Sequence, residues 1–373
     1  MPVAIFTDNE LPIARRPRGG GWFGWGLIAV AILSITTIAL VPSPYVIEKP
    51  GPVFDVLGTA QNSDDEEVPL IEIPVEETYP TEGSLNMLTV SITGNRESPV
   101  NWLDVAFAFL NRSSAVVPID SVYPEGVTVE QSNEQNAVQM TDSQQVAIAA
   151  ALINLGYDLE TTVTIGQVGE GAPADGVLEA GDVVTSVNSE PVTDDASLRD
   201  VIQNNGIEEP VTLGITRDGK PLTLEVTPVM SEAEQPTPII GVVLSNAYEF
   251  PFDVTIQLEN VGGPSAGQMF ALGIIDKLTP GALTGGEDVA GTGTITADGE
   301  IGAIGGIRQK MYGALDAGAT YFLAPQTNCD AVVGNIPDGL TVFAVSTLDD
   351  SIEVLNTISE GGDQSALPTC DAN

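Results

Sequence analysis

The sequence predicts an α/β fold with a small β-rich domain inserted in it or beside it, and one N-terminal transmembrane helix. Three observations carry that expectation. Residues 252–258 read as a strand and run through a glycine-rich turn into a helix-like stretch. Its apolar residues Met269, Phe270, Gly273, Ile274 and Leu278 recur at helical spacing. Residues 161–229 are dense in short strand signals, at 163–168, 182–187, 211–216 and 222–227, around one short helix at 196–203. Residues 22–41 carry no charge over a length that matches about 30 Å of bilayer core.

Arg15, Arg16 and Arg18 precede the uncharged run, and no basic residue follows until Lys49. The positive-inside rule therefore assigns 1–21 to the cytoplasm and everything beyond 41 to the outside, with Trp22 and Trp25 at the interfacial belt. A cleaved signal peptide is the competing reading. The length of the run, and the lack of a small-x-small site before Pro42 and Pro44, favour a signal anchor in the plasma membrane.

The chain carries 52 acidic against 12 basic residues, a formal net charge of −40. Such a balance excludes nucleic acid as a partner and disfavours lying flat on anionic lipid. Residues 42–80 are rich in proline and acid and are expected to be mostly extended, with strands at 45–48 and 70–75. A strand at 85–93, a helix at 102–110 and a longer helical region at 131–156 follow. Residues 81–160 are expected to pack with 237–358, which would make the small domain an insertion. A strand at 239–244 would begin the second part, a helix at 351–358 would close it, and 359–373 would form a polar tail. Cys329 and Cys370 are the only cysteines; a disulfide pinning the tail and two free thiols are both open. With no histidine and no cysteine cluster, neither a metal site nor a cofactor is expected.

The chemistry concentrates at Asn260-Val261-Gly262-Gly263-Pro264-Ser265-Ala266-Gly267. A serine between small residues at a strand-to-helix turn can be approached, and the first N–H groups of the helix can hold an oxyanion. By itself such a turn is most often structural. A nucleophile also needs a base, and without histidine a Ser-His-Asp triad is excluded. Four lysines remain. Lys277 lies on the helix that Ser265 opens, about 18 Å along it. Lys49 follows the membrane run, and Lys220 sits in a hairpin turn. That leaves Lys310, on a second helix after Gly305-Gly306, at the edge of an inward stripe of Ile307, Met311, Ala314, Leu315 and Gly318, with Gln309 pointing away. To act as a base near neutrality its pKa must lie roughly 3 below its ordinary ~10.4, about 4 kcal/mol of differential stabilisation. Burial against small side chains supplies such a drop, and Arg308 could add like-charge pressure.

Gly263-Pro264-Ser265-Ala266-Gly267, then Thr292-Gly293-Thr294-Ile295-Thr296-Ala297-Asp298-Gly299-Glu300, then Ile304-Gly305-Gly306-Ile307-Arg308-Gln309-Lys310 together resemble the proteolytic domain of the Lon family. The stretch from Ala317 to Pro325 continues the likeness, which covers about 250–345. The resemblance implies Ser265 as nucleophile, Lys310 as general base, Thr292 as their support, and a tendency to assemble into homo-oligomeric rings. Many Lon proteases carry an acidic residue three before the serine, where this chain has Gly262.

Gly171-Ala172-Pro173-Ala174, followed by Leu178-Glu179-Ala180-Gly181-Asp182-Val183-Val184, resembles a PDZ domain of the bacterial protease-associated type. That implies a groove which adds an extended peptide as a strand, although a plain spacer domain is the alternative. The stretch from Gly214 to Lys220 fits the start of a phosphate-binding P-loop, but Pro221 replaces the required Ser/Thr and strand signals flank it, so it reads as a hairpin turn. The function expected is an ATP-independent, membrane-anchored serine endopeptidase acting on unfolded or docked extracytoplasmic proteins. A peptide-binding protein with a dormant dyad, and an amidase or esterase on the same dyad, are the alternatives.

Overall fold

The computed structural model describes residues 25–30, 32–33, 41–61, 66–124, 126–192, 194–231, 236–258 and 261–370. In chain order, β1 (Tyr45–Asp55) and β2 (Ser84–Thr93) precede α1 (Trp102–Leu110), β3 (Ala115–Pro118) and the long α2 (Val129–Asn154). Then come β4 (Glu160–Val168), β5 (Val183–Val187), α3 (Asp195–Asn205), β6 (Val211–Arg217), β7 (Lys220–Val226) and β8 (Val242–Glu249). The last part holds α4 (Gly267–Leu278), β9 (Asp288–Gly291), α5 (Ile307–Asp316), β10 (Tyr321–Pro325), β11 (Thr341–Val345) and α6 (Leu348–Ser359).

The larger sheet has the order β11-β10-β9-β2-β1-β3. Its β11, β10, β9 and β2 are mutually parallel, whereas β1 pairs antiparallel with both β2 and β3. After their first residue β10 and β11 are apolar and buried throughout, as strands covered on both faces must be. Alternate residues divide between two cores. Val289, Leu323 and Phe343 join one with α2, α4 and α6, while Ala290, Phe322 and Val342 join the other with α5. Helices α4 and α5 therefore cover opposite faces of one sheet.

The smaller sheet, β7-β6-β5-β4-β8, is wholly antiparallel and encloses its own core with α3. The strand expected at 239–244 forms instead at β8, which pairs with β4 inside this small sheet. The strand expected at 252–258 is reduced to Thr255–Ile256, paired with Ile71–Glu72. Residues 42–80 also differ from expectation, since β1 lies inside the large sheet and Val56, Leu57, Leu70, Ile71 and Ile73 are buried in its core. Pro50-Gly51-Pro52 obscured this strand because proline removes a ladder donor. A register shift between Pro50 and Val53 accommodates it, with Gly51 so close to Thr89 that a Cβ would lie 2.3 Å from Thr89 Oγ1.

Helix α2 starts at a capping box of Thr128 and Gln131 and changes character along its length. Its last turns, from Ala147 to Leu152, are buried in the core shared with α4. Cys329 and Cys370 form a disulfide that ties the C-terminal segment to the α5 face. Of the expected membrane run 22–41, residues 25–30 and 32–33 are helical, and most of the remainder lies outside the described residues. Among the described residues no helix is long and apolar enough to cross a membrane.

Candidate active site

Ser265, Thr292 and Lys310 come from three segments and meet at one end of β9. Ser265 precedes α4 on one face of the sheet, Lys310 lies on α5 on the other, and Thr292 follows the last residue of β9. This is the carboxyl end of a parallel strand, where open α/β sheets leave a crevice. Lys310 Nζ is 2.7 Å from Ser265 Oγ and donates to Thr292 Oγ1 at 2.8 Å. Thr292 Oγ1 in turn donates to the Ser265 carbonyl at 2.9 Å, and Gly293 N–H donates to the same oxygen at 3.0 Å. Thr292 thus fixes both the amine and the backbone of the serine.

Lys310 is 2% exposed, and burial pulls its pKa down to about 7. Desolvation is the cause, because an ammonium loses more by leaving water than a neutral amine does. Arg308 adds no pressure, since its guanidinium is turned to the Ser114 carbonyl. Gln309, expected to point away into solvent, is buried as well. Oriented to satisfy its amide, it donates to Gly306 O and accepts from Ala115 N, so β3 covers the side of α5 that the helical pattern marks as outward. The other lysines stand elsewhere. Lys49 pairs with Ser91 in the β1–β2 ladder, and Lys220 closes the β6–β7 hairpin opposite Arg217. Lys277, in the last turn of α4, lies near Asp276 and Asp55, and its pKa is lowered by burial against the pull of those carboxylates.

The serine turn is held by α2, which sequence reasoning did not connect to it. Asn136 O accepts from Gly263 N–H at 2.9 Å, and Ser143 Oγ donates to Pro264 O at 3.1 Å. A Cβ on Gly262 would stand 2.6 Å from the Cβ of Asn136. The missing acidic residue thus has a steric reason: α2 occupies its place. Among the described residues no acceptor meets the N–H groups of Ser265, Ala266 or Gly267, which lie at the start of α4. Oriented N–H groups at a helix start suit a developing oxyanion.

A second concave feature lies between α3 and the edge strand β8. A cavity of about 360 Å³ is lined there by Arg199, Ile202, Gln203, Ile239, Ile240 and Leu244. An edge strand beside a helix, with an apolar floor, is the geometry that accepts a peptide by strand addition. The P-loop-like stretch is the β6–β7 hairpin, with Asp218 and Gly219 at positive φ in its turn.

Residues 260–357 match the family model of the Lon protease (S16) C-terminal proteolytic domain. The chain carries a Lon-type proteolytic domain. Residues 126–227 match the model of the PDZ domain, a span that includes α2 and stops short of β8. Lon protease 2 of Herpetosiphon aurantiacus is 38% identical over 121 residues, covering 29% of this chain and 15% of that protein. Lon protease 1 of Bacillus subtilis is 36% identical over 94 residues, 24% of this chain and 12% of that protein. The chain thus spans 15% or less of either of these Lon proteases. Among solved structures, the PDZ domain of an SdrC-like protein from Listeria monocytogenes is 23% identical over 22% of this chain and 85% of its own, with a TM-score of 0.21.

Proposed function

We propose that this chain is a serine endopeptidase of the Lon type that works without ATP, anchored in the plasma membrane by residues 22–41 with its catalytic portion outside. The observation that carries the catalytic part is the 2.7 Å contact between Ser265 Oγ and the buried amine of Lys310, whose pKa is about 7. A neutral Lys310 gives one N–H to Thr292 Oγ1, which leaves its lone pair free to face the serine hydroxyl. Lys310 takes the hydroxyl proton as Ser265 Oγ bonds to the peptide carbonyl carbon. The N–H groups at the start of α4 hold the resulting oxyanion. Collapse breaks the C–N bond, and Lys310 returns the proton to the leaving amine. Water then enters by the same route: Lys310 removes its proton, and the acyl–Oγ bond breaks as the serine is reprotonated.

The groove between α3 and β8 would dock an extended segment of an unfolded or tagged protein, which fits a role in extracytoplasmic protein quality control. Independence from ATP rests on the P-loop-like stretch from Gly214 to Lys220, which forms the β6–β7 hairpin and is followed by Pro221 where a Ser or Thr would be needed. Anchoring rests on the uncharged run and the arginines before it.

The decisive experiment labels the purified chain with a serine-directed fluorophosphonate and follows casein cleavage without nucleotide. Wild type and Lys277→Ala should label and cleave, whereas Ser265→Ala and Lys310→Ala should do neither. Full activity in Lys310→Ala, or a strict need for ATP, would overturn the reading.

A further inference from the structure

Helix α1 is apolar on the side that faces outward. At 100° per residue, Phe109, Trp102, Ala106, Leu110 and Phe107 form one continuous face, while Val105 and Ala108 point inward against Ile47 and Val100. Phe107 is 63% exposed, Phe109 73% and Leu110 82%. The exposed side of a surface helix is ordinarily its polar side, and a contiguous apolar patch marks an interaction surface.

The position of α1 in the chain says what covers that face. Pro42, next to the end of the uncharged run, forms a β-bridge with Asn101, the N-cap of α1. Ser43 N–H donates to Val100 O at 2.8 Å, and the Tyr45 ring meets the Trp102 ring edge-on at 5.8 Å. The chain therefore enters the folded body at the first turn of α1, one residue beyond Val41. If residues 22–41 span the bilayer as proposed above, a helix held there lies at the level of its surface. Its one acid, Asp104, accepts from the Asn101 side chain at 2.8 Å, while Lys49 shares the cleft beside Phe107 and Arg112 follows the helix end. An apolar face with Lys49 at its rim suits the acyl–headgroup boundary, even on a chain whose total charge of −40 opposes electrostatic attachment.

We propose that the outward face of α1 inserts into the outer leaflet and seats the extracytoplasmic body on the membrane beside its anchor. The proposal rests on the anchor reading given above. It is tested with the full chain in phosphatidylcholine vesicles whose acyl chains carry a nitroxide quencher. A fluorophore is attached, in separate proteins, at Phe107→Cys, Leu110→Cys, Val30→Cys or Leu222→Cys; the native cysteines are joined in their disulfide. Labels at 107 and 110 should lose most of their emission, as should the label at 30, while the label at 222, on exposed β7, should stay bright. A Phe107→Ser, Leu110→Ser double change should restore emission from a label at Phe109→Cys, and these exposed positions leave the core untouched. If the label at 30 is quenched while 107 and 110 stay bright and open to aqueous iodide, the docking face is overturned and the anchor stands. If 30 stays bright the anchor reading fails, and quenching at 107 and 110 alone decides the docking face. Shielding of 107 and 110 from iodide without lipid quenching, lost when the protein is diluted in lipid, would assign the face to a second copy of the chain and overturn the proposal.

Discussion

As the proposed base, Lys310 acts only as a free amine, so its pKa of about 7 would set the pH range of the site. kcat/KM should rise about tenfold per pH unit below that value and level off above it, a single protonation visible with a short ester substrate. A flat profile between pH 5 and 8 would remove Lys310 from the role of base. The same burial acts on stability. The folded pKa lies below the ordinary ~10.4, so the folded state binds fewer protons than the unfolded chain between the two values, and stability rises with pH across that window. The penalty for charging the amine, about 5 kcal/mol, is present in full below about pH 7. Gly262 shows a different constraint. Gly262→Asp restores the acid that many Lon proteases carry, but drives a side chain into Asn136. It should lower stability by about 1–3 kcal/mol and reduce activity, with recovery in the Gly262→Asp, Asn136→Gly pair measured by denaturant unfolding and ester hydrolysis.

Among elements, the small sheet ties its buried Asp182 to the half-buried Arg217, which also pairs with the exposed Glu179. Arg217 Nε and Nη2 each donate to Asp182 at 2.6 Å, and Nη2 also donates to Val177 O. The guanidinium holds the Asp182 carboxyl below its usual range, so its contribution is complete above about pH 4 and fades as pH falls through the lowered value. Arg217→Ala leaves the buried Asp182 carboxylate with only the Glu179 N–H and should lower the midpoint of urea unfolding. Replacing both partners by apolar residues should cost far less. Helix α5 is governed by backbone geometry instead. Gly306 caps it at φ 68° with Val90 packed where a Cβ would be, which explains the glycine directly before the lysine helix. The elements that escaped sequence reasoning are those whose local chemistry misleads. β1 is interrupted by Pro-Gly-Pro, and the outward side of α5 is hidden by β3.

For the whole molecule, both ends of the small sheet are tied to the catalytic body. Helix α2 grips the Ser265 turn and then leads into β4, and β8 leads back from the cavity beside α3 through Thr255–Ile256 to the same turn. A peptide that fills the groove should therefore change the hydrolysis of an ester too short to reach it, by about 5- to 150-fold for a coupling of 1–3 kcal/mol. An unchanged ester rate at saturating peptide, with protein substrates competed away, would leave the groove as a docking site that only raises local concentration. At the other edge, the Cys329–Cys370 bridge closes a loop of sequence separation 41, an effect of about 4 kcal/mol on the unfolded chain in the loop-entropy model.

The glycine-rich turn and the lack of histidine singled out Ser265 and Lys310 in the sequence, and the likeness to the Lon proteolytic domain added Thr292. Sequence alone also decided the acidic surface, the β-rich segment and the hairpin nature of the P-loop-like stretch. Tertiary structure decided what lies between those blocks. Period-2 alternation splits β9 and β10 between two cores, which puts α4 and α5 on opposite faces and lets their functional side chains meet only at the end of β9. The partnership of α2 with the Ser265 turn and the place of β8 in the small sheet were settled there too. Local propensity is read within a few residues, whereas these contacts join segments separated by 45 residues at Ser265 and Lys310 and by 121 at Ser143 and Pro264, where only shape and buried hydrogen bonding select the partner.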